Sequence, residues 1–320
     1  MTTQTQYDVI VIGGGAAGLS GALALVRSRR SVLVIDDGTP RNAPADGVHN
    51  FLTRDGVPPA ELYAIGRQEV QGYGGEFADA TVTSARPDGD GGFTVEADGT
   101  AYNSRRLLVT TGLTDVLPDV PGLAERWGKD VVHCPYCHGW EVKDQAIGVL
   151  ATSPMAMHQV QLFRQLSDDV TLFLHTAPEP TEEQWEQLAA RGIAVVQGKV
   201  EQVEVSHDKL TGVRLEGGKV VALQALAVQT TVRARAGFLA ELGLETTVVE
   251  ANGVEVGTAI QVDAMGATGV PGVFAAGNVS SPMAQVMPSA AAGLMTAAGI
   301  NFDLINEETR LAISATSSAQ

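Results

Sequence analysis

A chain of 320 residues has room for two ordinary domains, each burying its own core, which excludes a single small module. Hydrophobic residues make up 44% and charged residues 18%, and no apolar run approaches the ~18 residues that span a bilayer, so membrane insertion is not expected. A formal net charge of −16 repels phosphate backbones and acidic proteins alike, which argues against nucleic acid as a partner.

Met1 to Tyr7 carries no Lys or Arg, and the apolar stretch that follows runs into glycines. The start therefore reads as a first strand rather than a signal peptide, and the protein as cytoplasmic. Tyr7 to Ile12 predicts that strand, Leu19 to Arg29 a helix and Ser31 to Ile35 a second strand, which together make a βαβ unit. Asp88-Gly89 and Asp98-Gly99 separate short apolar runs between Thr81 and Gly112, the pattern of an inserted antiparallel meander. A second βαβ unit is predicted from strand 146–151, helix 155–166, strand 170–175 and helix 182–191. Leu215 to Val232 alternates as strand around a Gly217-Gly218 turn, Val262 to Asn278 is apolar, and 290–305 reads as a closing helix. Asn306 to Gln320 drifts into Ser, Thr and Ala and is expected to fray. The fold class is α/β, with two Rossmann-like, three-layer nucleotide-binding domains.

Two motifs carry chemistry. In Gly13-x-Gly15-x-x-Gly18 the first glycine permits a tight turn, the second lets backbone approach a pyrophosphate, and the third lets the helix pack on the strand. Asp36 follows at the distance expected of a carboxylate that binds an adenosine ribose. The only two cysteines form Cys134-Pro135-Tyr136-Cys137, followed by His138. Haem attachment would need export, structural zinc would need two further ligands, and a glutaredoxin would carry this motif near its start, so a redox dithiol served by a bound flavin fits best and no metal is expected. A thiolate is favoured at a helix start beside an imidazole, and His138 is placed to accept a proton from a substrate thiol and return it. Trp140 and Glu141 either shape the pocket or pack.

The corresponding loop of the second unit reads Ala151-Thr152-Ser153-Pro154-Met155-Ala156, without the phosphate-approaching glycines, and His175-Thr176-Ala177-Pro178 offers no arginine for a 2′-phosphate. Two readings stand: an eroded nicotinamide site, or one that binds NADPH weakly.

The order of glycine loop, Thr110-Thr111-Gly112, Cys-x-x-Cys, second nucleotide unit and Gly277-Asn278 resembles the low-molecular-weight thioredoxin reductases over nearly the whole chain. The resemblance implies an FAD domain from two segments, 1–114 and 246–320, an inserted NADPH-type domain, 115–245, bearing the dithiol, and a homodimer. It implies that Gly13, Gly15, Gly18 and Asp36 hold the ADP half of FAD, that Asn50, Thr111 and Gly112 line it, and that Gly277, Asn278, Gln285 and Val286 approach its ribityl and ring portion. His138, Asn278 and Ala284 depart from the reductase pattern. With the worn nicotinamide loop, they make the chain similar to the thioredoxin reductase-like dithiol oxidases of gliotoxin and holomycin type. That branch implies Cys134 and Cys137 cycling between a small dithiol and FAD, with O2 reduced to hydrogen peroxide. The alternatives are an NADPH-driven reductase of a thioredoxin-like protein, a ferredoxin-driven one, and a flavin-binding redox sensor.

Overall fold

The computed structural model describes residues 6–318; the leader reading of residues 1–5 and the last two residues lie outside the described residues. The chain opens with β1 (Gln6–Ile12), α1 (Ala16–Arg27), β2 (Val32–Asp36), α2 (Pro59–Gly72) and β3 (Glu76–Asp79), and continues through the meander β4 (Val82–Pro87), β5 (Phe93–Ala97) and β6 (Thr100–Val109) to β7 (Leu113–Val116). The inserted unit holds β8 (Val131–Val132), α3 (Pro135–His138), β9 (Ile147–Leu150), α4 (Ala156–Phe163), β10 (Val170–Phe173), α5 (Glu182–Ala190), β11 (Ala194–Val196), the meander β12 (Val200–Ser206), β13 (Lys209–Leu215), β14 (Val220–Ala222), and β15 (Ala225–Val228). β16 (Thr231–Ala234), β17 (Thr247–Ala251), β18 (Val254–Ala259), β19 (Val273–Ala275) and α6 (Val286–Ser318) complete the chain.

The main sheet runs β3-β2-β1-β6-β5-β4, with β1, β2, β3 and β6 parallel and β19 added parallel to the far end of β6. Its strands alternate between two cores, as a period of two requires. Val9, Val11, Val32 and Val34 pack with Leu25 of α1 and with Ile300 and Leu304 of α6. Ile10, Ile12, Leu33 and Ile35 face Phe93, Val95 and Leu239 on the opposite side. The meander expected as a separate layer is continuous with this sheet, because the long β6 pairs with β5 through its first half and with β19 through its second. The inserted unit has a parallel sheet, β11-β10-β9-β15-β8, with its own core on both faces.

A four-stranded sheet, β17-β18-β16-β7, joins the segments on either side of the insertion. β16 already belongs to this sheet, so we place the return to the first domain at Thr231 rather than at 246. The tail expected to fray is helical to Ser318. No Pro or Gly interrupts it after Gly299, and Asp303, Glu307 and Glu308 on α6 pair with Arg106, Arg105 and Arg30 at 2.5–3.1 Å. Helix formers and this charge network override the polar composition. The same helix starts at Val286, four residues ahead of the expected 290, since Pro288 is tolerated in its first turn.

Candidate active site

A cleft of 1320 Å³ runs from the first glycine loop to the dithiol, above the size of an ordinary small-ligand pocket and suited to a dinucleotide with space left over. Gly13, Gly15, Asp36, Thr111, Gly112, Cys134, Cys137, His138, Gly277, Asn278, Gln285 and Val286 all line it. Gly18 and Asn50 do not. A Cβ on Gly18 would overlap the Gly13 carbonyl and Thr110 Oγ1, so this glycine serves helix-on-strand packing. Asn50 turns its side chain away from the nucleotide end, and Nδ2 donates to the Tyr136 carbonyl at 2.7 Å, between the two cysteines.

The glycine loop is set by backbone geometry. Gly13 adopts φ +105° against Thr110, and the Gly14 N–H donates to Asp36 Oδ1 at 2.7 Å. Asp36 therefore holds the loop as well as facing the cleft. Among the described residues no acceptor meets the N–H groups of Gly15, Ala16, Ala17 and Gly18 at the start of α1. Across the cleft, Ser289 in the first turn of α6 is 6% exposed and its Oγ has no partner. Free amides at one helix start and a buried hydroxyl without a partner at another are what a bound pyrophosphate-containing ligand would satisfy.

The second unit closes the same feature. At the start of α4 the N–H groups of Ala156, Met157 and His158 donate to Ser153, Pro154 and Met155 carbonyls at 3.1–3.2 Å. Ser153 Oγ takes the Met155 N–H at 3.3 Å and donates to Gln229, and Pro154 has no N–H to offer. The pocket beside this loop has a volume of only 30 Å³, and Glu179 is among the residues that line it.

The dithiol sits on α3. Cys134 is its N-cap and Pro135 occupies the first position, where a missing N–H costs nothing. Gly139 closes the turn so tightly that a Cβ would overlap the Pro135 carbonyl, which seats the short helix against Leu166. The sulfurs lie 2.6 Å apart, with Cys137 donating to Cys134. That hydrogen bond is the main influence that brings the Cys134 thiol down to about 6 despite its burial, helped by backbone N–H groups of Cys137 and Tyr136 and by Gln285 Nε2 at 3.8 Å. The Cys137 thiol is pushed up by the same contact and by burial, which favours the proton on Cys137. Asn278 donates to the carbonyls of Ser281, Pro282 and Ala284 at 2.7–3.2 Å and so fixes the turn that presents Gln285.

Burial lowers the His138 pKa, opposed by nearby Glu141, which favours the uncharged imidazole, and its buried Nε2 has no partner among the described residues. No hydrogen bond joins it to either sulfur in this arrangement. Thr111 spends its hydroxyl on the Arg235 carbonyl at 2.6 Å, tying the two cofactor-side segments together. Trp140 is 67% exposed, stacks under Lys143 Nζ and takes no part in the cleft wall. The sequence reading missed His49, Arg41 and His133. His133 lines the cleft, with Nδ1 at 3.0 Å from the Val228 carbonyl, and its pKa is lowered by burial. A lone histidine or arginine in an irregular stretch carries no spacing signal, so only the fold reveals these three.

The family model described as pyridine nucleotide-disulphide oxidoreductase matches residues 7–297. The chain belongs to this family. It is 35% identical to "Thioredoxin reductase tcpT" of Claviceps purpurea (strain 20.1), over 91% of either chain, and 31% identical to "Thioredoxin reductase sirT" of Leptosphaeria maculans, over 96% of this chain and 97% of that one. The solved structure titled HlmI superposes with a TM-score of 0.90 at 44% identity, covering 100% of this chain and 99% of the other. An oxidoreductase structure from Agrobacterium tumefaciens gives 0.86 at 35%, covering 94% of this chain and 99% of that one. The protein is thus a thioredoxin reductase-like disulfide oxidoreductase with the two-domain Rossmann fold of that group. No helix among the described residues is long and apolar enough to cross a membrane, and no group of three metal-ligating side chains gathers there.

Proposed function

We propose that this disulfide oxidoreductase is an FAD-dependent dithiol oxidase that closes a disulfide in a small dithiol and delivers the electrons to dioxygen. The observation that carries the reading is the contrast in amide groups: α1 begins with four N–H groups that are unpaired among the described residues over a wide cleft, whereas the first turn of α4 is internally satisfied and its Ser153-Pro154 loop borders a pocket with volume for about one water. The first site suits a flavin dinucleotide, with the α1 amides at its pyrophosphate, Asp36 at its ribose, and Ser289, Gly277 and Gln285 along the remainder. The second lacks the donors an NADPH pyrophosphate needs. FAD held by these residues would supply a two-electron acceptor for the Cys134–Cys137 pair, with dioxygen as the final acceptor and hydrogen peroxide as the product.

The residues divide the thiol chemistry between them. In the reduced pair Cys134 is the thiolate and so the sulfur that would attack a disulfide; by microscopic reversibility, a substrate thiolate forms its mixed disulfide with Cys134 as the Cys134–Cys137 bond breaks. His138 takes the proton from that substrate thiol and returns it to Cys137 as it leaves. The second substrate thiol, its proton leaving to solvent, attacks the substrate sulfur of the mixed disulfide, closing the substrate disulfide and freeing Cys134 as thiolate. The downward shift of the Cys134 thiol and the upward shift of Cys137 favour this product state, with thiolate on Cys134 and proton on Cys137.

An anaerobic titration followed by flavin absorbance is the test. Bleaching by a small dithiol and not by NADPH is expected, followed by oxygen uptake and peroxide on aeration, both lost in Cys134→Ser and Cys137→Ser. Rapid bleaching by NADPH would instead make the protein a reductase of a thioredoxin-like partner.

A further inference from the structure

The connection between β2 and α2, residues 37–58, is far longer than the two to six residues usual in such units, and its only ladder pairing is a bridge between Val48 and Val57. Connections of this length are most often functional. This one lines the cleft with Thr39, Arg41 and Val48, is held to its own domain by Asn42 with Tyr63 and by Asp37 with Arg235, and also reaches the inserted unit and its hinge. Arg41 makes a two-pronged ion pair to Asp115 on β7, both distances 2.6 Å, and Thr230, where the chain leaves the inserted unit, donates to the same carboxylate at 2.8 Å. Pro44 sits against Gly128, where a Cβ would collide with the proline ring. Asn50, in the left-handed region at φ +59°, donates to Tyr136 O. His49 has a carboxylate at each ring nitrogen: Asp55 of its own loop at 3.4 Å from Nδ1, and Glu141 beyond the dithiol helix at 3.2 Å from Nε2. Asp55 in turn accepts the Asn50 N–H at 2.8 Å. Thr53, a β-branched residue, is held at φ +76°, a strained conformation that persists only where neighbouring contacts over-determine it.

We infer that residues 37–58 form a strap that holds the dithiol helix over the cofactor cleft, with His49 as the positioning residue that links Asp55 on the strap to Glu141 on the inserted unit. The inference rests on the dithiol reading above and adds to it what keeps the sulfurs in place. Arg41 fixes the strap at the hinge, and His49 and Asn50 fix it at the dithiol, so the inserted unit is gripped at both ends of its approach to the cleft. His49 touches neither sulfur; it acts through Glu141, two residues past Gly139, and beside it Asn50 grips the backbone between the cysteines.

The test uses the full-length, FAD-loaded protein with the pair reduced, anaerobically and at one pH. Deuterium uptake of residues 134–141 and the iodoacetamide alkylation rate of each cysteine are measured for wild type, His49→Ala, Glu141→Gln, the double variant and His49→Lys. Each single loss is expected to raise both readouts roughly two- to fivefold, the range of one partly exposed polar contact. The double variant should not exceed the larger single effect, as residues on one bridge demand, and His49→Lys, which keeps a nitrogen donor facing Glu141, should return both to within about twofold of wild type. Unchanged exchange in His49→Ala, or a double variant that adds the two single effects, overturns the strap. That failure is distinguishable from failure of the oxidase reading, which would be absence of dithiol-driven oxygen uptake in the wild type.

Discussion

The molecule contains two units of one design, strand, glycine-position loop and helix, and only one of them keeps its helix start open. At α1 the loop residues are glycines, the one side chain that caps a loop amide is Asp36, and the first helical N–H groups await an anion. At α4 a serine, a proline and a tight first turn consume the equivalent groups internally. A fold can thus retain its sheet order and its core while the amides at one helix start are paired internally. Parallel strands need only buried aliphatics, whereas a phosphate site needs amides that nothing else satisfies.

The largest effect that would sharpen this contrast is expected from Gly18→Ala. Its Cβ would overlap the Gly13 carbonyl, so flavin retention should fall by on the order of 100-fold or more, measured as the absorbance ratio of the purified protein. The matching change in the other unit, Ser153→Gly with Pro154→Ala, should tighten NADPH binding by no more than about tenfold, because the amides of Ala156, Met157 and His158 remain paired; calorimetry yielding a micromolar affinity would break the comparison. The pH profile of alkylation comes next. With the Cys134 thiol near 6, its rate should rise with pH through about 6 and be flat by about 8, since thiolate forms as pH exceeds the pKa; a rate still climbing above pH 8 would show an ordinary thiol. The smallest effect belongs to Gln285→Leu, which removes one weak donor from Cys134 and should move that midpoint upward by less than about one unit.

Much of this was legible in the sequence. Val and Ile runs beside glycines located the strands of both units, Asp88-Gly89 and Asp98-Gly99 marked the meander turns, and Ala151 to Ala156 shows by its residues alone that the second loop differs from the first. What stayed hidden depends on long-range pairing. The β7–β16 ribbon joins residues more than a hundred positions apart and has no local signature. Asn50 gives no hint in sequence that its side chain faces Tyr136 rather than a nucleotide. The C-terminal helix misled because Ser, Thr and Ala suggest a tail, while the arginines that hold it lie on β6 and after α1. Likewise, the two thiols are alike in composition, and only their mutual contact, the backbone N–H groups of α3 and Gln285 set Cys134 below Cys137.

The pairing of Thr231 with Val116 across antiparallel β7 and β16 carries one more consequence. The inserted unit departs and re-enters at neighbouring backbone positions, so to the rest of the polypeptide its whole length is topologically no more than the tip of a hairpin. A cassette attached this way can be exchanged, enlarged or allowed to lose a ligand over generations without asking the sheet that carries it to change a single pairing.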